Sequence, residues 1–258
     1  MKQFDRYRNV AIKAAHIGGK ILLKHFENIS EYDLKKGAGI VTKADTESEK
    51  IISSFLRKQT PDFGIFAEEE GYKYKGDTRW IIDPLDGTTN FFHRVPHFNI
   101  SIGLEMDKEI VVGVIYNPIT GEMYNCSKGG GAYRNKERIH VSRTKKLSTA
   151  MLATGFAYMS EKKMEKALDL FLRFSLNCHG IRRFGAAALD CCYVAAGIYD
   201  GFYEKTLSPW DVAAGSLLVT EAGGKLSSYN GKKFSIYDKE IVASNGLIHN
   251  EMIKTIRG

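Results

Sequence analysis

The sequence has 258 residues, 43% of them hydrophobic, with 14 Phe and 13 Tyr, and 26% charged. That balance supports a sizeable core in one large domain or two tightly packed halves, and it excludes a disordered tail or a string of linkers. Thirty-seven Lys and Arg against thirty Asp and Glu leave a formal charge of +7, which attracts anions at long range and identifies no nucleic-acid site by itself.

The opening MKQFDRYRNV carries charge where a secretory signal needs an apolar stretch, and charge interrupts every later apolar run. A cytoplasmic protein with no membrane association is therefore expected. From about Arg8 to Phe26, Ala11, Ala14, Ala15, Ile17, Gly18, Ile21 and Leu22 recur at spacings of three and four, the period of an amphipathic helix. The polar stretch EYDLKKGAGIVT reads as a hairpin. Asp45 then stands as N-cap of a helix over TESEKIISSFLRKQ, whose stripe is Ile51, Ile52, Phe55 and Leu56 and which Pro61 closes.

GIFA and WIID are brief apolar runs ending in carboxylates, and Ile100, Ile102, Leu104 and Met106 alternate with period two, the mark of a strand. EIVVGVIY, the NPITG turn, EMYNC, GAYRN and RIHVS continue as an antiparallel meander, with KGGG at 128–131 as a tight hairpin. Beyond about Ser142, Met164, Ala167, Leu168, Phe171 and Leu172 follow helical spacing, and FGAAALDCCYVAAG reads as a small-residue helix stopped by Gly197. DGFYE, SPWDVAAGSLLVTEAGG, an Asn230-Gly231 turn, EIVASN and a last helix alternate strand with helix. The four Cys, at 126, 178, 191 and 192, make no CxxC pair, and buried reduced thiols are expected. His93 and His97 are four apart, but Pro96 between them denies a shared helical face.

The richest stretch is Asp83-Pro84-Leu85-Asp86-Gly87-Thr88-Thr89-Asn90. Pro84 donates no hydrogen bond, so ladder pairing stops there and the backbone turns. The turn can aim Asp83, Asp86 and the Leu85 carbonyl at one point, while Gly87 admits close approach and the amides of Gly87, Thr88 and Thr89 open a phosphate-directed helix. Each Asp alone also fits an ordinary turn. Glu68 to Asp86 nevertheless holds six acids against three bases, a local net of −3 in a basic chain. Carboxylates gathered without partners either rise in pKa or take a cation, and an all-oxygen set suits Mg²⁺ better than Zn²⁺. Ser208-Pro209-Trp210-Asp211 fits a helix start, and a carboxylate fixed on a first turn can also face a metal; the sequence leaves both open.

DPLDGTTNF, with FAEEE upstream and PWDVAAG downstream, resembles the inositol monophosphatase family, whose pattern is a GEE-type acid pair, DPxDGTxN and WDxAAG in that order. The similarity runs from the Lys36 region to the last helix. It implies a layered α/β (α+β) fold, the αβαβα sandwich of the inositol monophosphatase and fructose-1,6-bisphosphatase type, as one domain over 1–258 with halves at about 1–141 and 142–258. It also implies Mg²⁺-dependent hydrolysis of a small phosphomonoester with two or three ions, commonly by a homodimer.

Carried over residue by residue, Glu68, Asp83 and the Leu85 carbonyl resemble the first metal site, and Asp83, Asp86 and Asp211 the second. Asp45, Glu68 and Thr88 resemble the group that holds the attacking water, and the Gly87 and Thr88 amides the phosphate cradle. Arg182, Gly185, Ala187 and Glu204 resemble the side that meets the alcohol, with Asp86 and Asp211 also near substrate. Lys36 and Arg183 are further anion contacts to weigh. Two departures stand out: Ala67 replaces the Gly before the acid pair, and Ala186 replaces a common Ser or Thr.

The expected reaction is hydrolysis of myo-inositol 1(or 4)-monophosphate. Fructose 1,6-bisphosphate and 3′-phosphoadenosine 5′-phosphate are the rivals within the fold; Glu204 favours a polyol hydroxyl over a second phosphate. A different class is an RNA- or complex-binding regulatory protein, but the best basic run, Arg143-Thr144-Lys145-Lys146, has no aromatic partner for stacking.

Overall fold

The computed structural model describes residues 3–26, 33–35, 39–72, 76–156 and 160–258. Lys36, Lys73 and Lys75 lie outside them. In chain order the elements are α1 (Asp5–Phe26), β1 (Asp33–Lys35), β2 (Gly39–Val41), α2 (Lys43–Gln59), β3 (Gly64–Ala67), β4 (Gly71–Tyr72), β5 (Thr78–Asp86) and α3 (Thr88–Phe92). The meander follows as β6 (Asn99–Met106), β7 (Glu109–Asn117), β8 (Glu122–Ser127), β9 (Gly131–Arg134) and β10 (Glu137–Ile139). The remainder is β11 (Met151–Thr154), α4 (Glu161–Ser175), β12 (Gly180–Arg182), α5 (Ala187–Ala195), β13 (Gly201–Lys205), α6 (Pro209–Glu221), β14 (Lys225–Ser227), β15 (Glu240–Ser244) and α7 (His249–Arg257).

Besides the two-stranded β1–β2 hairpin, two sheets and three helix layers result. The larger sheet runs β10-β9-β8-β7-β6-β5-β3-β4, and the smaller runs β12-β11-β13-β15-β14. Within the larger sheet only β3 and β5 are parallel; in the smaller, β11 is parallel to both β12 and β13. Period-two alternation explains the layering, because both faces of each sheet are apolar. On β5, Trp80 and Ile82 point into a core shared with α1 and α2, while Ile81 between them joins the core filled by α5 and α6. On the smaller sheet, Ala153, Phe202 and Ala243 face that same central core. Their neighbours Leu152, Tyr203 and Val242 face α4 and α7. The order is helices, sheet, helices, sheet, helices, the expected αβαβα sandwich.

The helix α6 lies unusually close to the larger sheet. A Cβ on Gly113 of β7 would stand 2.6 Å from the Ala214 carbonyl oxygen, and one on Gly103 of β6 would stand 3.0 Å from the Ala213 Cβ. Small residues on both partners therefore bring the start of α6, and Asp211 with it, to the end of β5.

Two expectations are corrected. The N-cap of α2 is Thr42, not Asp45; Asp45 is the third helical residue and closes a capping box by accepting the Thr42 N–H at 2.8 Å. Pairing does not stop at Pro84: Asp83 pairs with Ser101 and Asp86 with Asn99, and a bulge between them absorbs the missing donor. The strands β4, β11, β12 and β14, each of two to four residues, were not anticipated, being too short to display a period. Cys126, Cys191 and Cys192 are buried and free, and Cys178 is half-buried and free. Among the described residues no helix is long and apolar enough to cross a membrane.

Candidate active site

The bulge at the end of β5 arranges the central motif. Its geometry turns Asp83 inward, where Oδ1 accepts the Leu85 N–H at 3.0 Å. Asp86 Oδ2 accepts from Asn99 Nδ2 at 2.8 Å and from the Ala188 backbone N–H at 2.9 Å, so the carboxylate joins β5 to β6 and to the first turn of α5. Gly87, at φ +87°, caps α3 in the left-handed region and sits where a Cβ would crowd the His97 carbonyl oxygen at 3.0 Å. Asn90 closes the motif by donating to the His97 and Phe184 carbonyls at 2.8 and 2.7 Å.

Asp211 arrives on the first turn of α6. Its Oδ2 accepts the Ser208 N–H at 2.7 Å in a capping box; it is both a cap and a member of the cavity wall. From the opposite layer, α2 contributes Asp45. Its Oδ2 accepts from Thr42 Oγ1 at 2.7 Å, and its Oδ1 faces Thr88 Oγ1 at 3.1 Å. The same Thr88 hydroxyl is 3.0 Å from the Leu85 carbonyl oxygen, and its single proton serves one of these acceptors at a time.

These pieces border a cavity of about 580 Å³. Glu68, Asp86, Gly87, Thr88, Glu204 and Asp211 line it, as do Gly185 and Ala187. Asp83 is buried immediately behind, within the fields of Glu68, Asp86 and Asp211. Arg182 does not join them: it ends β12 exposed, donating to the Ile181 carbonyl. Its neighbour Arg183 lines the cavity instead and donates to the Phe156 carbonyl at 3.1 Å. Thr206, Phe156 and Met164 also line the cavity and were not anticipated. Spacing offered no signal for them, since they come from loops and from the outer helix α4.

The electrostatics run in one direction. Burial, then the charges of Glu68, Asp86 and Asp211, pushes the Asp83 carboxyl well above its ordinary range. Asp86 is pushed up to about 6 by burial, against hydrogen bonds from Asn99 and Ala188. Asp45 also reaches about 6 through burial, against its bonds from Thr42. Glu204 is pushed up to about 8 by burial and by Asp211 and Asp86, with Arg183 opposing. Asp190 on α5 is buried, neither of its carboxyl oxygens has a hydrogen-bond partner among the described residues, and burial raises it well above its usual range.

Among the described residues no three of the acids are drawn together tightly enough to form a ready-made metal cage. What fits a hard divalent cation is the chemistry of the donors: carboxylates and one backbone carbonyl, the raised carboxyls of Asp83 and Asp86 being ones that a nearby positive charge would bring back down. Among the described residues, neither Asp83 nor Asp86 has a Lys or Arg at ion-pair distance to supply that charge.

The family model described as "Inositol monophosphatase family" matches residues 3–258. An "Inositol-1-monophosphatase" of Rhizobium meliloti is 41% identical, over 96% of this chain and 95% of the relative. A "Nus factor SuhB" of Escherichia coli K12 is 38% identical over the same shares. Among solved structures, the extragenic suppressor protein suhB from Bartonella henselae superposes with a TM-score of 0.93 at 39% identity, covering 98% of both chains.

Proposed function

Because the chain belongs to the inositol monophosphatase family, we propose that it hydrolyses a small phosphomonoester with Mg²⁺, and that the ester is myo-inositol 1(or 4)-monophosphate. The observation that carries this reading is the gathering of Glu68, Asp86 and Asp211 on one cavity, with Asp83 behind them and the opening amides of α3 beside them.

Glu68, Asp83, Asp86, Asp211 and the Leu85 carbonyl would hold the ions. Bound there, Mg²⁺ neutralises the ester dianion, lowers the pKa of a bound water and stabilises the departing alkoxide. The chain's own residues do the positioning. When the Thr88 hydroxyl gives its proton to Asp45 Oδ1, its oxygen is left to accept from a water, which Glu68 on the other side can also engage. The amides of Gly87 and Thr88 present N–H groups to a phosphate. Glu204, on the far wall, faces a hydroxyl of the alcohol, and once bound cations offset the Asp211 and Asp86 charges that raise it, its carboxylate repels a second phosphate; this favours a polyol over a bisphosphate. Arg183, rather than Arg182, is the cation on that wall.

The test is phosphate release from myo-inositol 1-phosphate, fructose 1,6-bisphosphate and 3′-phosphoadenosine 5′-phosphate across a Mg²⁺ titration with an EDTA control. Preference for the inositol ester, abolished by EDTA, is the expected result. Preference for a bisphosphate overturns the substrate and keeps the metal chemistry. No release from any of the three favours the second reading, a binding role without catalysis, which the 38% identity to a protein named "Nus factor SuhB" supports. A cytoplasmic homodimer belongs to the same proposal and rests on the resemblance alone.

A further inference from the structure

We propose that Glu49 is a positioning residue that sets the place of Glu68 and thereby the affinity of the site for divalent cations; this rests on the metal reading above. Asp45, Ser48 and Glu49 stand at i, i+3 and i+4 on α2, so they share one face of the helix. All three are fully buried, an unusual stripe for a helix whose remaining inward residues are apolar or small.

Each of the three holds a different piece of the site. Asp45 faces the Thr88 hydroxyl at the start of α3. Ser48 Oγ donates to the Pro84 carbonyl inside the β5 bulge, at 3.2 Å. Glu49 uses both carboxylate oxygens on consecutive amides: Oε2 accepts the Glu69 N–H at 2.8 Å and Oε1 accepts the Glu70 N–H at 2.6 Å.

Those two amides belong to the turn that leaves β3, and Glu68 is its first residue. The Glu68 N–H donates to the Ile82 carbonyl at 3.2 Å, which registers that backbone against β5 on one side. Glu49 fixes it on the other. One rigid helix therefore sets the spacing between the acid turn and the β5–α3 motif. A carboxylate suits this task because it is acceptor-only, with an oxygen for each N–H; a glutamine would point its NH₂ at one of them.

Glu49→Gln and wild type are compared by calorimetric Mg²⁺ binding without substrate, by half-saturating Mg²⁺ in turnover, and by thermal unfolding without metal. Ile52→Val, which loosens the same helix, is the control for simple destabilisation. The expected result is a loss of roughly tenfold or more in Mg²⁺ affinity for Glu49→Gln in both binding and turnover. Because Glu68 also engages the water, kcat at saturating Mg²⁺ falls several-fold while KM for substrate stays within about twofold of wild type, and Ile52→Val leaves Mg²⁺ affinity unchanged. Wild-type affinity in Glu49→Gln overturns the proposal, as does an equal loss in Ile52→Val. If Glu49→Gln does not fold, Glu49→Asp, one methylene short, is measured in the same way, and wild-type affinity there overturns it. A wild-type protein that binds no Mg²⁺ overturns the metal reading and this inference together, whereas wild-type binding with an unaltered variant overturns the inference alone.

Discussion

A methyl group on Gly155 would stand 2.1 Å from Glu204 Oε2 and 2.2 Å from Oε1 and the carboxyl carbon. Gly155 directly follows β11, and Glu204 lies on the neighbouring parallel strand β13. The absent side chain is therefore the space in which the carboxylate is stored, and it sets how far Glu204 reaches into the cavity.

Gly155→Ala should push that carboxylate out of place while leaving the acids at the end of β5 undisturbed. We expect kcat/KM for myo-inositol 1-phosphate to fall roughly tenfold or more, about 1.4 kcal/mol, with a much smaller change for a generic aryl phosphate. Glu204→Gln should separate the two substrates in the same sense. Steady-state kinetics on both esters decide the matter; equal losses on the two would remove Glu204 from substrate selection.

Asp83→Asn tests the shared ligand. Asp83 is buried and its carboxyl is raised, so exchanging it for a neutral isostere relieves repulsion from Glu68, Asp86 and Asp211. Metal-free stability should stay within about 1 kcal/mol of wild type. Turnover should be nearly abolished, and the rise in Tm that Mg²⁺ gives wild type through ligand linkage should vanish. Near-normal turnover at saturating Mg²⁺, or an undiminished Tm rise, would contradict the role.

How far the sequence alone reached is clearest from neighbouring residues. The helices α1 and α2, the meander β6–β10 and the Asp83–Asp86 pair were all legible because each is long enough to show its period or carries Pro and Gly at telling places. Arg182 and Arg183 were not separable, since one step along an extended chain turns a side chain to the opposite side; the structure puts Arg183 on the cavity. TESEK reads as a solvated helix start, which hides the role of Glu49. The clue was present: Glu49 is four residues after Asp45 and shares its face, whereas the half-exposed Glu47 points toward His25. Three-residue strands such as β14 owe their pairing to β15, a long-range partner that no local pattern reports.

A pH-dependent contribution to stability should come from His249, far along the chain at the start of α7. Its Nδ1 and Nε2 lie 2.8 and 2.9 Å from the Ser244 and Ser227 hydroxyls, and burial, aided by Lys225, pushes the imidazole down to about 4. A folded pKa below the unfolded value favours the neutral form, so the contribution is complete above the ordinary His pKa and is lost as pH falls from about 6.5 toward 4. Between pH 7.5 and 5, wild type should lose about 2 kcal/mol more than His249→Gln in urea unfolding. Parallel pH profiles for the two proteins would show that the ring does not titrate on unfolding.

The contact between α6 and the larger sheet yields the last prediction. Gly113→Ala places a methyl 2.6 Å from the Ala214 carbonyl oxygen and 3.1 Å from its Cα. Backbone rather than a movable side chain meets it, so the helix itself must shift. Overpacking of this kind costs on the order of 1–3 kcal/mol, to be read as a lowered Tm. Because Asp211 rides on the first turn of α6, the displacement should reach the site as well, raising half-saturating Mg²⁺ several-fold or about 1 kcal/mol. Gly121→Ala serves as the control: a Cβ there meets nothing within 4 Å, although its φ of +70° carries a backbone cost of its own. A Gly113→Ala protein with wild-type Mg²⁺ dependence and a lowered Tm would mean that α6 yields locally and that Asp211, in its Ser208 capping box, stays in place.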